Sequence, residues 1–325
     1  MNEPFMLKPA GKDYLWGGIK LKEEFGKNID MSPLAETWEC STHPDGPSLV
    51  ASGEFKGQDL STVLKSHPEY LGTHLAGACE LPILVKLIDA KQDLSVQVHP
   101  GDEYAMEHEN GQLGKTEMWY VLSADEDASL VYGFNKDMTK DMVREAAANG
   151  TLSDHLQRIP VRMGDTLLIE AGTVHGIGAG IVIAEIQENS NLTYRLYDYD
   201  RVGKDGKKRE LHIDKALAVA NLKKVDLPRK EVEDTQTMPG LTKELLASNK
   251  YFEVYHMILN TQPDCGVSFM AGEDSFRTLL CIDGDGCMKF GSEDILFAKG
   301  DCIFVPASSV NISLYGNARV LDIKG

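Results

Sequence analysis

The sequence predicts a mainly β protein that contains two similar β units, with short helices inserted between strands. Most of the chain consists of short runs of β-branched, aromatic and other apolar residues separated by Gly, Asp, Asn and Pro. Such a pattern is typical of β-sandwiches and β-barrels. In addition, one pattern of glycine, apolar and polar residues occurs twice, at residues 164–175 and 300–311. The repetition indicates two copies of one structural unit.

The predicted elements follow from local periodicity. Apolar residues at spacings of three and four predict amphipathic helices over 59–75, 139–158 and 212–222. The apolar runs rich in β-branched residues predict strands at 83–88, 94–98, 118–122, 130–132, 166–169, 181–187 and 279–282. Residues 202–210 are predicted to form a polar loop punctuated by glycine. Its lysine-rich part, 204–209, could be a phosphate clamp, but we expect it to be a solvated surface.

The segment before the last third of the chain predicts a domain boundary. Residues 226–243 contain two prolines and charges of both signs, which is typical of a connector. We therefore predict a first unit over 1–225, with the helical insertions, and a second unit over 244–325.

Size and charge limit the possible functions. The chain has 325 residues, of which 42% are hydrophobic, so it can bury a core in each of two domains. Its formal net charge is −17, which would repel a nucleic-acid backbone, and we expect no nucleic-acid partner. A small anionic substrate stays possible because a metal ion and a few basic side chains can reverse the potential in one pocket.

The cysteines and the apolar runs predict a cytoplasmic protein without a membrane partner. The six cysteines are scattered and include no Cys-x-x-Cys pair, so we expect reduced thiols. No apolar stretch approaches the roughly 18 residues of a membrane helix, and the first residues lack the basic and apolar regions of a signal peptide.

Four residues in strand-like surroundings predict a metal site. Gln97 and His99 lie two residues apart on a predicted strand, so both side chains can point to one ion. Glu117 and His175 would have to reach the same ion from other parts of the fold. In the second copy of the repeat, Asn311 replaces His175, so we expect only the first copy to bind metal.

The repeat also resembles a known family pattern. Gly-Asp, four apolar residues, a small-residue turn and a terminal His are similar to the second sequence motif of the cupin superfamily. Residues 164–175 have Glu170 where that motif has Pro, whereas residues 300–311 keep Pro306 and lack the His. The resemblance implies two cupin-like (jelly-roll) β-barrel units, with a metal inside the mouth of one.

A longer series of motifs resembles the class I mannose-6-phosphate isomerases, in a short bacterial form. These motifs lie at residues 14–18, 35–38, 42–48, 81–86, 94–100, 114–117, 171–175, 185 and 189–195. The resemblance implies one zinc ion per chain held by Gln97, His99, Glu117 and His175. It also implies an active-site arginine at Arg195, with Lys115 and Glu185 in the same pocket.

The implied activity is the interconversion of mannose 6-phosphate and fructose 6-phosphate through a cis-enediol. Lys115, Glu185 or a zinc-bound water could carry the proton, and the sequence does not choose between them. After Arg195 the sequence departs from the longer family members, so Tyr197, Asp198 and Arg201 inherit no role.

Two other functions are compatible with the metal residues. One is a non-catalytic, metal-containing cupin that binds a sugar phosphate, and the other is an iron-dependent cupin oxygenase with two histidines and one carboxylate. Lys115, Glu185 and Arg195 beside the ligands favour the isomerase. The chain could act as a monomer or a homodimer.

Overall fold

A computed structural model describes residues 2–203, 206–226 and 234–325. These residues form mainly β structure, as predicted, with 42% of residues in strands and 14% in helices. In chain order, the strands are β1 (Phe5–Lys8), β2 (Ala10–Lys12), β3 (Glu36–Cys40), β4 (Leu49–Val50), β5 (Ile83–Ala90), β6 (Val96–Val98), β7 (Glu117–Ala124), β8 (Ser129–Phe134), β9 (Leu156–Pro160), β10 (Thr166–Ile169), β11 (His175–Gly176), β12 (Ile181–Glu188), β13 (Tyr194–Tyr197), β14 (Thr235–Met238), β15 (Leu241–Ser248), β16 (Glu253–Asn260), β17 (Val267–Phe269), β18 (Arg277–Phe290), β19 (Glu293–Ala298), β20 (Cys302–Val305) and β21 (Ile312–Lys324).

The helices are short and lie between strands. They are α1 (Lys20–Glu23), α2 (Leu60–Ser66), α3 (Asp102–His108), α4 (Lys140–Ala148) and α5 (Ile213–Val219), with 3-10 turns at Pro68–Leu71, Thr73–Leu75 and Leu152–His155. None of these described helices combines the length and the apolar character needed to cross a bilayer.

The helix predictions are confirmed for three insertions, with one error of extent. Helix α4 begins at the Thr139 cap, whose side chain accepts a hydrogen bond from the Met142 backbone. It ends at Ala148 because Gly150 adopts a left-handed conformation, and residues 156–158 belong to β9 instead of the predicted helix. Helices α1 and α3 were not predicted, since each buries a single residue, Leu21 in α1 and Ala105 in α3, and so shows no periodic apolar face.

The first unit is a sandwich of two antiparallel sheets. One has the strand order β10-β7-β12-β5-β3-β2, and the other has the order β13-β6-β11-β8-β9. Side chains from both sheets, including Trp119, Ile183 and Leu130, form the core between them. The metal-ligand candidates lie at one end of this sandwich.

The second unit is a ten-stranded sheet with a core of its own. Its main strand order is β14-β15-β16-β21-β18-β20-β1-β4, with β17 paired to β21 and β19 paired to β18. Met257, Phe297 and Ile303 are among the buried residues of that core. Residues 227–233 of the predicted connector lie outside the described residues, and 235–238 and 241–243 are paired strands. The predicted division of the chain at residue 225 stays a prediction.

A third core joins the two units. Strand β18 alternates between faces, so Leu280 and Ile282 point to this joint core and Leu279 points into the second unit. The N-terminal strand β1 pairs with β20, and Phe5 contributes to the same joint core. The six-stranded sheet is therefore covered by apolar packing on both faces.

The two copies of the repeat adopt the same local structure. Gly164 and Gly300 both have a positive φ, of 92° and 98° respectively. Each glycine lies in a turn of the same kind, which precedes β10 in the first copy and β20 in the second. In each turn the aspartate accepts a backbone hydrogen bond from three residues earlier, at 2.9 Å for Asp165 and 2.8 Å for Asp301. The copies differ at their ends, because His175 is buried and Asn311 is exposed.

Candidate metal centre and active site

Three predicted ligands meet inside the first unit. His99 follows β6, Glu117 begins β7 and His175 begins β11, and all three side chains are buried. Glu117 Oε1 lies 3.3 Å from His175 Nε2, and Glu117 Oε2 lies 3.7 Å from His99 Nε2. One donor atom from each residue falls within 4.8 Å of the other two. This spacing suits a single ion with nitrogen and oxygen ligands.

Backbone contacts fix the orientation of both imidazoles. His99 Nδ1 is 2.7 Å from the Leu192 carbonyl, and His175 Nδ1 is 2.8 Å from the Thr173 carbonyl. With Nδ1–H donating to these carbonyls, each Nε2 presents a lone pair to the cluster. Within the described chain, His99 Nε2 and Glu117 Oε1 are buried and lack a hydrogen-bond partner. Buried polar atoms are normally satisfied, so these orphaned acceptors fit a bound cation.

The protonation states agree with metal binding. Burial lowers the pKa of His175 to about 4 and, together with the charge of Lys115, lowers that of His99 well below its ordinary value. Both rings are therefore neutral near pH 7 and can donate to a metal. Burial and the neighbouring Glu185 raise the pKa of Glu117 to about 7, because its negative charge is poorly solvated. A divalent cation would supply that solvation.

Gln97 lies next to the triad formed by His99, Glu117 and His175. Its amide Nε2 is 3.4 Å from His175 Nε2, and its Cα is opposite the Cα atoms of His175 and Arg195 on the two adjacent strands. A half-turn of the amide exchanges its oxygen and nitrogen and presents the oxygen to the cluster. The structure thus brings all four predicted ligands together.

A row of alternating buried charges extends from the triad. Lys115 Nζ is 2.8 Å from Glu117 Oε2 and 3.6 Å from Glu185 Oε1. Lys86 Nζ lies 3.0 Å from the same Glu185 oxygen, and Trp119 donates to the other one at 2.9 Å. These contacts follow from strand register, since Glu185 is opposite Lys86 on one side and Trp119 on the other.

The two carboxylates shift the pKa of Lys115. Burial alone would lower it, but the negative charges of Glu117 and Glu185 outweigh burial and hold it above its ordinary value. For Glu185, burial acts to raise the pKa, but Lys115 and Lys86 lower it to about 2. Glu185 is therefore an anion held in place by three neighbours.

Arg195 lies on β13, beside Gln97. Its Nη1 donates to the Glu210 carbonyl at 2.9 Å, and its backbone N–H donates to His212 Nδ1 at 3.1 Å. Burial and the nearby charge of Arg209 lower its pKa below the ordinary arginine value. The guanidinium is thus anchored at the wall of the site.

These residues surround a cavity of about 310 Å³. Its charged lining consists of four cations and two carboxylates: Lys86, Lys115, Arg195, Arg209, Glu36 and Glu185. The pocket therefore carries a positive excess although the whole chain has a net charge of −17. Such a pocket attracts an anionic ligand.

Two of the lining charges, Glu36 and Arg209, were not predicted as site residues. Lys86 is a charged residue within an apolar strand, where burial is costly without a partner, so the sequence itself indicates a pocket role or a buried ion pair for it. Glu36 begins the more polar strand β3, Glu-Thr-Trp-Glu-Cys, which gives no such signal. Arg209 belongs to the stretch expected to be a solvated surface. For this residue that expectation is wrong, because Asp198 holds its side chain against the cavity.

The fold and the site define a cupin-type protein with a candidate metal centre beside an anion-attracting cavity. The chain matches the family models for "Phosphomannose isomerase type I, catalytic domain" over residues 5–144 and "Mannose-6-phosphate isomerase, cupin domain" over 242–324. It belongs to the mannose-6-phosphate isomerase family.

Relatives are similar over their whole lengths. Mannose-6-phosphate isomerase ManA of Bacillus subtilis is 38% identical over 323 residues, which is 98% of each chain. Mannose-6-phosphate isomerase of Streptococcus mutans is 36% identical over 321 residues, with 99% of this chain and 98% of the relative covered. A crystal structure of the mannose 6-phosphate isomerase from Bacillus subtilis aligns with a TM-score of 0.90 at 34% identity, covering 99% of both chains.

Proposed function

We propose that the chain interconverts D-mannose 6-phosphate and D-fructose 6-phosphate through a cis-enediol, with one zinc ion per chain. The strongest support is that the buried triad lies next to a cavity with an excess of positive charge. Lys115 contacts the triad and also lines this cavity. An aldose–ketose exchange needs a group that moves a proton between C1 and C2 and positive charge where an enediolate oxygen forms.

His99, Glu117 and His175 would hold the zinc, with Gln97 as the fourth and weakest ligand. When bound, zinc supplies a redox-inert positive charge that polarises the substrate oxygens. The donor set of two imidazoles and one carboxylate, with two orphaned acceptor atoms, fits this ion.

Lys115 is the proposed proton carrier, because its amino group lies in the cavity wall beside the triad. A cation held by Glu117 would offset the carboxylate charge that raises the pKa of Lys115, so the amino group would lose its proton more readily in the metal-loaded enzyme. As the neutral amine it would take the proton from C2 of the aldose and return it to C1 of the enediol. Glu185 positions this amino group and is itself fixed by Lys86 and Trp119. Arg195 stabilises the negative oxygen of the enediolate, since its guanidinium stays charged throughout.

The reaction would take place in the cytoplasm, where reduced thiols persist. All six cysteines fall within the described residues and are unpaired.

A coupled assay of the purified protein on mannose 6-phosphate and on glucose 6-phosphate tests the proposal. We expect turnover of mannose 6-phosphate that stops with a chelator and returns with zinc, and close to one equivalent of divalent metal per chain. His175→Ala should lose both metal and turnover, while the matched change Asn311→Ala in the second copy should keep both. Binding of substrate without turnover would instead support the non-catalytic cupin, and oxygen consumption with iron would support the oxygenase.

A further inference from the structure

Two arginines surround one buried carboxylate near the mouth of the cavity. Asp198 accepts hydrogen bonds from Nε and Nη2 of Arg209 at 2.7 and 2.5 Å, and from Nη2 of Arg201 at 2.5 Å. Burial alone would raise the pKa of Asp198, but these bonds hold it below its ordinary value. Asp198 is therefore a fixed anion that orients both guanidinium groups.

The two arginines face different spaces. Arg209 lines the cavity beside the metal centre and also an adjoining cavity of about 400 Å³, whereas Arg201 belongs to the lining of the adjoining cavity alone. Arg195 shares the metal-side cavity with Arg209. Asp198 and Asp13, which also lines the adjoining cavity, can offset two of these three positive charges, so a positive excess of one remains among these residues.

Donor groups at this end lack acceptors. The bonds to Asp198 use Nε and Nη2 of Arg209, which leaves its Nη1 for a ligand as far as the described residues show. Arg195 Nε is buried and without a hydrogen-bond partner in the same part of the chain. The two guanidiniums also repel each other, since Arg209 contributes to the lowered pKa of Arg195. A phosphate dianion bound at the free N–H groups of Arg209 would offset this repulsion.

The exposure of the groups indicates which way an aldose 6-phosphate would lie in the cavity. The triad residues are at most 1% exposed, while the Arg209 side chain is 35% exposed. A hexose 6-phosphate carries its reacting C1–C2 edge at one end and its phosphate at the other. With the reacting edge at the buried triad, the phosphate points to the exposed end of the cavity, where Arg209 lies.

We propose that Arg209 binds the 6-phosphate of the substrate, and that Asp198 is the positioning residue for Arg209. This assignment rests on the proposed function. It explains why the proposed isomerase would prefer a phosphorylated sugar to an unphosphorylated one.

Arg209→Gln tests the assignment, and Arg201→Gln is the matched control because both arginines bind Asp198. For each zinc-loaded protein, kcat and KM are measured on mannose 6-phosphate and on unphosphorylated mannose. We expect Arg209→Gln to lower the preference for the phosphorylated sugar by roughly 10- to 100-fold, mainly through KM. Arg209→Lys should recover part of this loss, and Asp198→Asn should show a smaller loss of the same kind. Arg201→Gln should keep the preference within about threefold.

Calorimetric titration of the zinc-loaded proteins with inorganic phosphate gives a readout that does not depend on turnover. The dissociation constant should rise by roughly 10- to 100-fold in Arg209→Gln and stay nearly unchanged in Arg201→Gln. Unchanged phosphate binding in Arg209→Gln, or an equal loss in both variants, would overturn the role of Arg209. A wild-type protein that binds phosphate through Arg209 but does not isomerise the sugar would overturn only the proposed function.

Discussion

Burial of His175 makes the metal-free protein sensitive to mild acid. Burial lowers the pKa of this imidazole from 6.5 to about 4 in the folded chain. At a pH between these two pKa values, His175 carries a proton in the unfolded chain but not in the folded chain. The contribution of the neutral ring to the unfolding free energy is therefore complete above pH 6.5. It falls as the pH drops below 6.5 and is fully lost near pH 4.

The size of the effect follows from proton linkage. When the pH is lowered from 7 to 5, the two pKa values of His175 predict a loss of about 2 kcal/mol in unfolding free energy from this residue alone. The pKa of His99 is lowered in the same direction by burial and by Lys115, so its contribution has the same sign.

Urea unfolding at pH 7 and pH 5, in the presence of a chelator, measures this loss. Comparing the pH effect in wild type with that in His175→Asn cancels the contribution of other titrating groups. The variant should lose about 2 kcal/mol less than wild type over this interval. His108→Asn, at an exposed position, is the control and should behave as wild type. Equal losses in wild type and His175→Asn would refute the reasoning.

Three further changes have defined outcomes. Lys27→Met removes the partner 2.6 Å from the buried carboxylate of Glu39 and should destabilise the protein by about 3–5 kcal/mol in urea unfolding; a loss below about 1 kcal/mol would contradict this. Tyr251→Phe removes a 2.8 Å hydrogen bond from the second unit to Asp102 and should cost about 1 kcal/mol in the same assay, and an unchanged stability would contradict this. Gln97→Ala should weaken zinc binding roughly tenfold in a competition titration. A larger loss than that caused by replacing either histidine ligand would show that the amide is a principal ligand.

Much of the fold was predictable because its signals are local. The strand at 166–169 and its counterpart at 302–305 each follow a Gly-Asp turn whose backbone bond is made within four residues. The short apolar run at 83–88 indicates a buried strand without knowledge of the partner strand. The extent of helix 139–158 was overestimated because its apolar spacing continued past the Asn149–Gly150 end signal.

The metal residues were predictable for a related reason. Gln97 and His99 share a face through the two-residue period of a strand, and the repeat located His175 by contrast with Asn311. The pairing of β6 with β11 puts Gln97 opposite His175 within one sheet, whereas Glu117 reaches them from β7 of the other sheet. The sequence named the candidate ligands, and the packing of the two sheets put them within reach of one ion.

The sequence by itself determined the β-rich class, the repeated turn and the identity of the metal-ligand candidates. Only the tertiary structure decided that β1 joins the sheet of the second unit and which charges share the cavity. Lys86 meets Glu185 across 99 residues, and Arg209 is turned to the cavity by Asp198 from a polar loop. Such contacts depend on long-range strand pairing and on the cost of burying a charge without a partner, neither of which has a local sequence period.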